Sequence, residues 1–142
     1  MTLHDAARAL IGAGADATLV TLNPDGSPQV SVVWVALQTT PEGVDEIVSA
    51  HLSDAYKKVR NIRRDPRVAV TILSDDHPGE MRPYLSISGT ARIVEGGADE
   101  LLRELAPVFL GPNPPFPPQD APPGFLTRIR IDKVGGIGPW AS

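Results

Sequence analysis

The chain contains no cysteine, which removes disulfides, thiolate nucleophiles, iron–sulfur clusters and cysteine-ligated zinc from consideration. Histidine is scarce as well. His4, His51 and His77 are scattered without an H-x-x-x-H spacing, so no metal site is expected. Aromatic residues make up 5% of the sequence, too few for the stacking ladder that accompanies basic grooves on single-stranded nucleic acid. With a formal net charge of -4, no nucleic-acid partner is expected. The longest apolar run, Val32 to Leu37, ends at Gln38 and Thr39, far short of the roughly eighteen residues of a membrane-spanning helix. No membrane partner is expected. Residues Met1 to Asp5 lack the basic start and apolar stretch of a secretory leader, so the protein is read as cytoplasmic. Ser-His-Asp, P-loop and G-x-G-x-x-G signatures are missing too, which leaves hydrolase, kinase and dinucleotide-binding readings without support.

What is present fits one domain spanning residues 1–142, with 42% apolar residues to build a single core. Leu3, Ala7, Leu10 and Ile11 lie at helical spacing before Gly12 and Gly14. Strands are predicted over residues 17–22 and 28–36, joined through Asn23-Pro24-Asp25-Gly26, whose Asp-Gly pair supplies the positive φ of a tight reversal. A third strand, 46–52, is expected beside the second. Ser53 or Asp54 is expected to cap a helix of about three turns that stops at Asp65-Pro66. Strands over 67–73, 84–94 and 127–134 follow, with Gly89 inside the second of these suggesting a bulge or a close backbone approach. A helix over 99–109 presents Leu101, Leu102, Leu105, Val108 and Phe109 on one apolar face. Segment 111–124 holds seven of the fifteen prolines and can be neither helix nor interior strand. It reads either as a stiff lid tipped by Phe116 or as a plain surface connection. Six strands with helical insertions and no regular strand–helix alternation predict a small, mainly β barrel.

The sharpest chemical signal is a run of charge. Lys57, Lys58, Arg60, Arg63, Arg64 and Arg67 place six of thirteen basic residues within eleven positions of an acidic protein. On a helix, Lys57, Arg60, Asn61 and Arg64 share a face, with Lys58 at its flank. The unpaired N–H groups beside Ser53 add to a phosphate-sized anion site. A solvated basic face fits the same residues. Gln29, Ser31 and Trp34 on the second strand are expected opposite the strand carrying Ser49 and His51, whose alternation with Val48, Ala50 and Leu52 sets Ser49, His51 and Ser53 on one face. Such a polar-lined face could hold a planar ring or simply meet solvent.

Four segments carry a resemblance: Ala17 to Leu22 with Pro24 to Ser31; Lys58-Val59-Arg60-Asn61-Ile62-Arg63-Arg64-Asp65-Pro66-Arg67-Val68; Ser88-Gly89-Thr90-Ala91; and Val134-Gly135-Gly136-Ile137-Gly138-Pro139-Trp140. Together they resemble the pyridoxamine 5'-phosphate oxidase-like superfamily, in its coenzyme F420 (deazaflavin)-dependent branch. The resemblance implies a six-stranded split β-barrel of the FMN-binding type, a homodimer with two interfacial clefts, and hydride transfer between reduced coenzyme F420 and an unsaturated organic substrate. FMN is the alternative cofactor, and a non-catalytic cofactor-binding protein is a further alternative. Pyridoxamine-phosphate oxidation itself is disfavoured, because no second basic cluster serves a substrate phosphate. Under the resemblance Lys57 and Lys58, with Asn61 and Arg64, hold the cofactor phosphate. Ser49, His51 and Ser53 contact its chain and ring edge, and the backbone of 31–35, including Ser31, Val33 and Trp34, lies along the ring beside Gln29. Trp140 and the Pro-rich segment are implied to reach the partner subunit. Tyr56 stands where related sequences carry an arginine, which shifts phosphate recognition onto Lys57, Lys58 and Arg64. No catalytic side chain stands out.

Overall fold

The Asp25–Gly26 reversal fixes the first sheet contact. Gly26 adopts φ 84°, its N–H donates to the Asn23 carbonyl at 2.9 Å, and Asp25 accepts from both the backbone N–H and the hydroxyl of Ser27. From this turn β1 (Ala15–Leu22) and β2 (Pro28–Thr39) zip together antiparallel, from Leu22 opposite Pro28 to Ala15 opposite Val35. The computed structural model describes residues 1–75 and 78–141; His77 lies outside the described residues.

The remaining elements follow as α1 (Asp5–Ile11) at the start, then β3 (Asp45–His51), α2 (Lys57–Arg64), β4 (Arg67–Leu73), β5 (Tyr84–Glu95), α3 (Ala98–Leu110) and β6 (Phe125–Ile137). All six strand neighbours pair antiparallel, closing a barrel in the order β1-β2-β3-β6-β5-β4. The expected mainly β, six-stranded barrel is therefore the architecture found.

Alternation places Leu19, Val33, Val35, Ile47, Val70, Ile72, Leu85, Ile87, Ile129 and Ile131 in the barrel interior, where Leu3, Ala7 and Ile11 of the α1 segment join them. A second cluster lies outside the wall, where Leu101 and Leu105 of α3 cover Val48 of β3 and Leu126 of β6. β3 is thus covered on both faces. Gly89 shows both behaviours its position suggests: the β5–β6 register shifts between Ser88 and Gly89, and a Cβ there would lie 2.5 Å from the Arg130 carbonyl oxygen.

A buried carboxylate ties α1 down. Asp45, 1% exposed, accepts from the Leu3 N–H at 2.8 Å, Arg8 Nη1 at 2.5 Å and Thr39 Oγ1 at 2.7 Å. Burial alone would raise its pKa, but these three donors outweigh it and hold the carboxyl below its ordinary value.

Two local expectations need correction, one in α2 and one in α3. α2 runs for eight residues from Lys57, about two turns rather than three, because Ser53 spends its hydroxyl on the Ala55 N–H in a preceding turn. The N-cap position falls to Tyr56, which makes no capping hydrogen bond, and Ala55 lies exposed in the turn before it. Val108 is 45% exposed, in the last turn of α3 just past Pro107, whose ring has no N–H to continue the helical ladder. Trp140 packs on its own barrel, donating from Nε1 to the Tyr84 carbonyl at 3.0 Å.

Candidate functional site

The barrel opens where one ladder ends. β2 pairs with β3 only from Thr39 opposite Asp45 to Ala36 opposite Val48, while the rest of β2, back to Pro28, pairs with β1 alone. Past Ala36 and Val48 the two strands separate, so the β2 edge turned toward β3 has no ladder partner there. A cleft of about 340 Å³ occupies this opening, between Val32, Val33 and Trp34 on one side and Ser49, Ala50, His51 and Leu52 on the other. Tyr56 and Lys58 from the α2 end, Leu102 from α3 and Phe116 from the Pro-rich segment complete it.

Ring contacts sort the lining into two groups. Trp34 stacks on Phe109 with centroids 4.6 Å apart and planes 9° from parallel, and Phe116 meets Trp34 edge-on at 6.1 Å. In the second group, His51 and Tyr56 are edge-on at 6.5 Å, and Lys58 Nζ stands 5.2 Å from the Tyr56 ring centroid. His51 Nε2 also lies 2.6 Å from Thr127 Oγ1.

The charge state of this second group follows from burial. Burial pushes the His51 imidazole down to about 4, and the Lys58 charge pushes the same way. At neutral pH His51 is a neutral ring. Burial lowers the Lys58 pKa as well, a cost that a bound anion would relieve. Among the described residues, no acidic side chain lines the cleft and no group of three His, Asp or Glu side chains could hold a metal ion.

Of the residues singled out from the sequence, Val33, Trp34, Ser49, His51 and Lys58 meet in this cleft. The others lie elsewhere. Gln29 and Ser31 sit opposite Thr21 and Leu19 of β1, not opposite β3; Gln29 accepts from Thr21 Oγ1 at 2.7 Å, and the Ser31 hydroxyl is buried with no partner among the described residues. Ser53 belongs to the turn before α2. Lys57 is exposed, its charge felt by Asp25.

Asn61 departs most from the shared basic face. It is 2% exposed and donates to Thr21 Oγ1 at 3.0 Å and Asn23 Oδ1 at 3.1 Å. Arg64 donates to Asn61 Oδ1 and to the Leu22 carbonyl. These two side chains pin the β1–β2 reversal to α2. Sequence reasoning missed Ala50, Leu52 and Leu102 as lining residues. Leu102 reads from the sequence only as one more apolar position on a helix face.

The antiparallel barrel, opened between β2 and β3 beside a short basic helix, defines a split-barrel protein. The family model for pyridoxamine 5'-phosphate oxidase matches residues 3–136, and the chain belongs to that family. Among solved structures, an F420 reductase aligns with TM-score 0.72 and 26% identity, covering 90% of this chain and 94% of that one. A putative pyridoxamine 5'-phosphate oxidase from Listeria innocua aligns with TM-score 0.67 and 20% identity, covering 94% and 96%. A FAD-binding protein from Mesorhizobium loti gives 0.66 and 18%, covering 96% and 95%. At their identities these last two are likenesses of fold. No curated protein matches the chain. Among the described residues, no helix is long and apolar enough to cross a membrane.

Proposed function

We propose that the protein is an oxidoreductase that binds coenzyme F420 in the opening between β2 and β3 and transfers a hydride between it and an unsaturated organic substrate. The observation that carries this reading is the end of the β2–β3 ladder at Ala36 and Val48. It leaves an unpaired strand edge next to a largely apolar cleft with Lys58 on its lining. These features fit a planar, hydrogen-bonding ring with an anionic tail. The volume, about 340 Å³, is at the small end for ligand sites. It would take a ring system, with Lys58 at the start of α2 available to an anionic tail.

When bound, the deazaflavin supplies the hydride chemistry, and the protein supplies binding, orientation and electrostatics. Lys58 and the free N–H groups at the start of α2 hold the phosphate. The backbone edge of 32–34 orients the ring, and Trp34, Leu102 and Phe116 exclude water from it. His51, neutral at physiological pH, acts as a hydrogen-bonding group and not as a second cation. FMN is the second reading, favoured by membership of the oxidase family.

In this reading the protein works in the cytoplasm as a homodimer. Val30, Val32 and Leu73 are 59%, 69% and 53% exposed on the outer faces of β2 and β4, a patch of the kind that marks an interface. Val32 also lines the cleft, so a second copy seated there borders the site.

Titration of cofactor-stripped protein with coenzyme F420 and, separately, FMN tests the assignment. Tight F420 binding with FMN at least tenfold weaker is expected. The reverse preference replaces F420 by FMN, and tight binding without turnover of any acceptor makes the protein a carrier.

A further inference from the structure

Two buried polar side chains meet inside the barrel at the end where the cleft opens. Alternation turns His51 inward with Ile47 of β3, and Thr127 inward with Ile129 of β6. His51 Nε2 and Thr127 Oγ1 are 2.6 Å apart. The ring is neutral at physiological pH, so one of its two nitrogens carries a proton and the other does not. The hydrogen-bond partners decide which. Among the described residues the Thr127 hydroxyl has no partner besides His51, and a side chain that is wholly buried has no water to turn to. With the proton on Nε2, the ring would donate to Oγ1 and leave the Thr127 O–H buried without an acceptor, the costlier arrangement. With the hydroxyl donating to a bare Nε2, both buried groups are satisfied and the ring proton sits on Nδ1. Lys58 Nζ stands over the Tyr56 ring and makes no hydrogen bond to the imidazole that would oppose this.

Nδ1 is the atom left for the cleft. It makes no hydrogen bond within the described residues, yet it is not sealed in, because the one buried side-chain oxygen or nitrogen without a partner among them is Ser31 Oγ. The space that His51 borders is the cleft, which it lines together with Lys58. We propose that Thr127 is a positioning residue: its hydroxyl, donating to Nε2, holds the proton of the His51 ring on Nδ1, and the β3 wall thereby presents a fixed N–H donor to an acceptor atom of the bound ligand, such as a ring carbonyl. A ligand that can only donate at that point is disfavoured. The identity of the ligand rests on the cofactor reading above; the position of the proton does not.

The test is the long-range proton–nitrogen correlation spectrum of ligand-free protein carrying nitrogen-15 histidine, at neutral pH, which tells the protonated ring nitrogen from the bare one. His51→Gln identifies the His51 signals. The Nδ1–H form is expected in the unaltered protein and in Thr127→Ser, which keeps the hydroxyl. In Thr127→Val, which keeps the shape and drops the donor, the Nε2–H form should appear, and F420 binding should weaken about fivefold, the scale of one neutral hydrogen bond. Thr127→Ser should retain the affinity. An Nε2–H or doubly protonated ring in the unaltered protein overturns the proposal. So does Thr127→Val with an unchanged ring, or with a changed ring and undiminished affinity. Should that variant fail to fold, addition of F420 to the unaltered protein decides: Nδ1 should shift more than Nε2, and the reverse overturns the proposal. Failure of the cofactor reading shows separately, as absence of F420 binding to the unaltered protein. The affinities are then read with FMN, and a protein that binds neither overturns the ligand-facing role of Nδ1.

Discussion

His51 Nε2 lies 2.6 Å from Thr127 Oγ1, a diagonal contact across the β3–β6 pair, in which Thr127 itself stands opposite Ser49. Both side chains are buried, at 3% and 0% exposure. The contact links the wall of the cleft to a strand that the cleft does not otherwise touch, and it engages one ring nitrogen of the histidine.

The buried imidazole predicts a stability profile. His51 titrates at about 4 in the fold against an ordinary 6.5, so between these values the unfolded chain binds a proton that the folded chain refuses. Its contribution is complete above pH 6.5 and drains away as the pH falls toward 4, by up to ~3 kcal/mol. Urea unfolding at a series of pH values should show this slope, and His51→Gln should flatten it. Asp45, held below its ordinary value, adds acid sensitivity at lower pH, and that part should survive in the variant.

The two lysines at the start of α2 should behave unequally. Lys58 is half-buried on the cleft and Lys57 is exposed outside it. Lys58→Ala should weaken F420 binding tenfold or more, the scale of a lost charge-assisted hydrogen bond. Lys57→Ala should weaken it less than threefold, with the residual effect vanishing at high salt. Normal affinity in Lys58→Ala would refute the assignment of the phosphate to this helix start.

Asn61 should prove structural. Asn61→Ala removes the donor to Thr21 and Asn23 and should cost about 2 kcal/mol in denaturant unfolding. Cofactor affinity, measured where the variant is folded, should change less than threefold. An affinity loss as large as that of Lys58→Ala would return Asn61 to the binding site.

Gly89 should tolerate no side chain. The added Cβ of Gly89→Ala would meet the Arg130 carbonyl oxygen at 2.5 Å and Ile129 Cγ2 at 2.6 Å. Backbone on the β6 side cannot yield cheaply, so a loss of 1–3 kcal/mol is expected, about the cost of overpacking a core. Thermal unfolding of the variant checks it.

Local chemistry was legible in the sequence wherever one face of an element meets solvent. β4 alternates without a break between exposed and buried positions, and Asp25–Gly26 announced its turn through backbone preference alone. β3 hid its role because both of its faces are covered: α3 lies over Val48, Ala50 and Leu52, and Ser49 and His51 share the face of Ile47, turned into the barrel, so polar side chains that could have met solvent are buried. Ser53 misled for a related reason: the same hydroxyl that caps helices also closes a short turn, and here it does the latter. The basic run promised one continuous anion site. Its charges are divided between the cleft at Lys58 and the β1–β2 reversal at Arg64, a division set by contacts some forty residues away in the chain. Leu102 enters the site through packing between distant segments, which no local pattern encodes, whereas Phe116, one reading of which is the apolar tip of a Pro-rich lid, does border the cleft.

The position of β6 between β3 and β5 also governs the order in which the molecule can assemble. Until that strand is seated, β3 and β5 are both open edges, able to recruit a strand from another chain. Thr127 arrives with it, so the His51 wall of the cleft stays unsupported until the same moment. Closure by so distant a pairing makes folding slow relative to a helical domain of this size. It also makes one strand responsible both for supporting the His51 wall of the cleft and for covering the two edges.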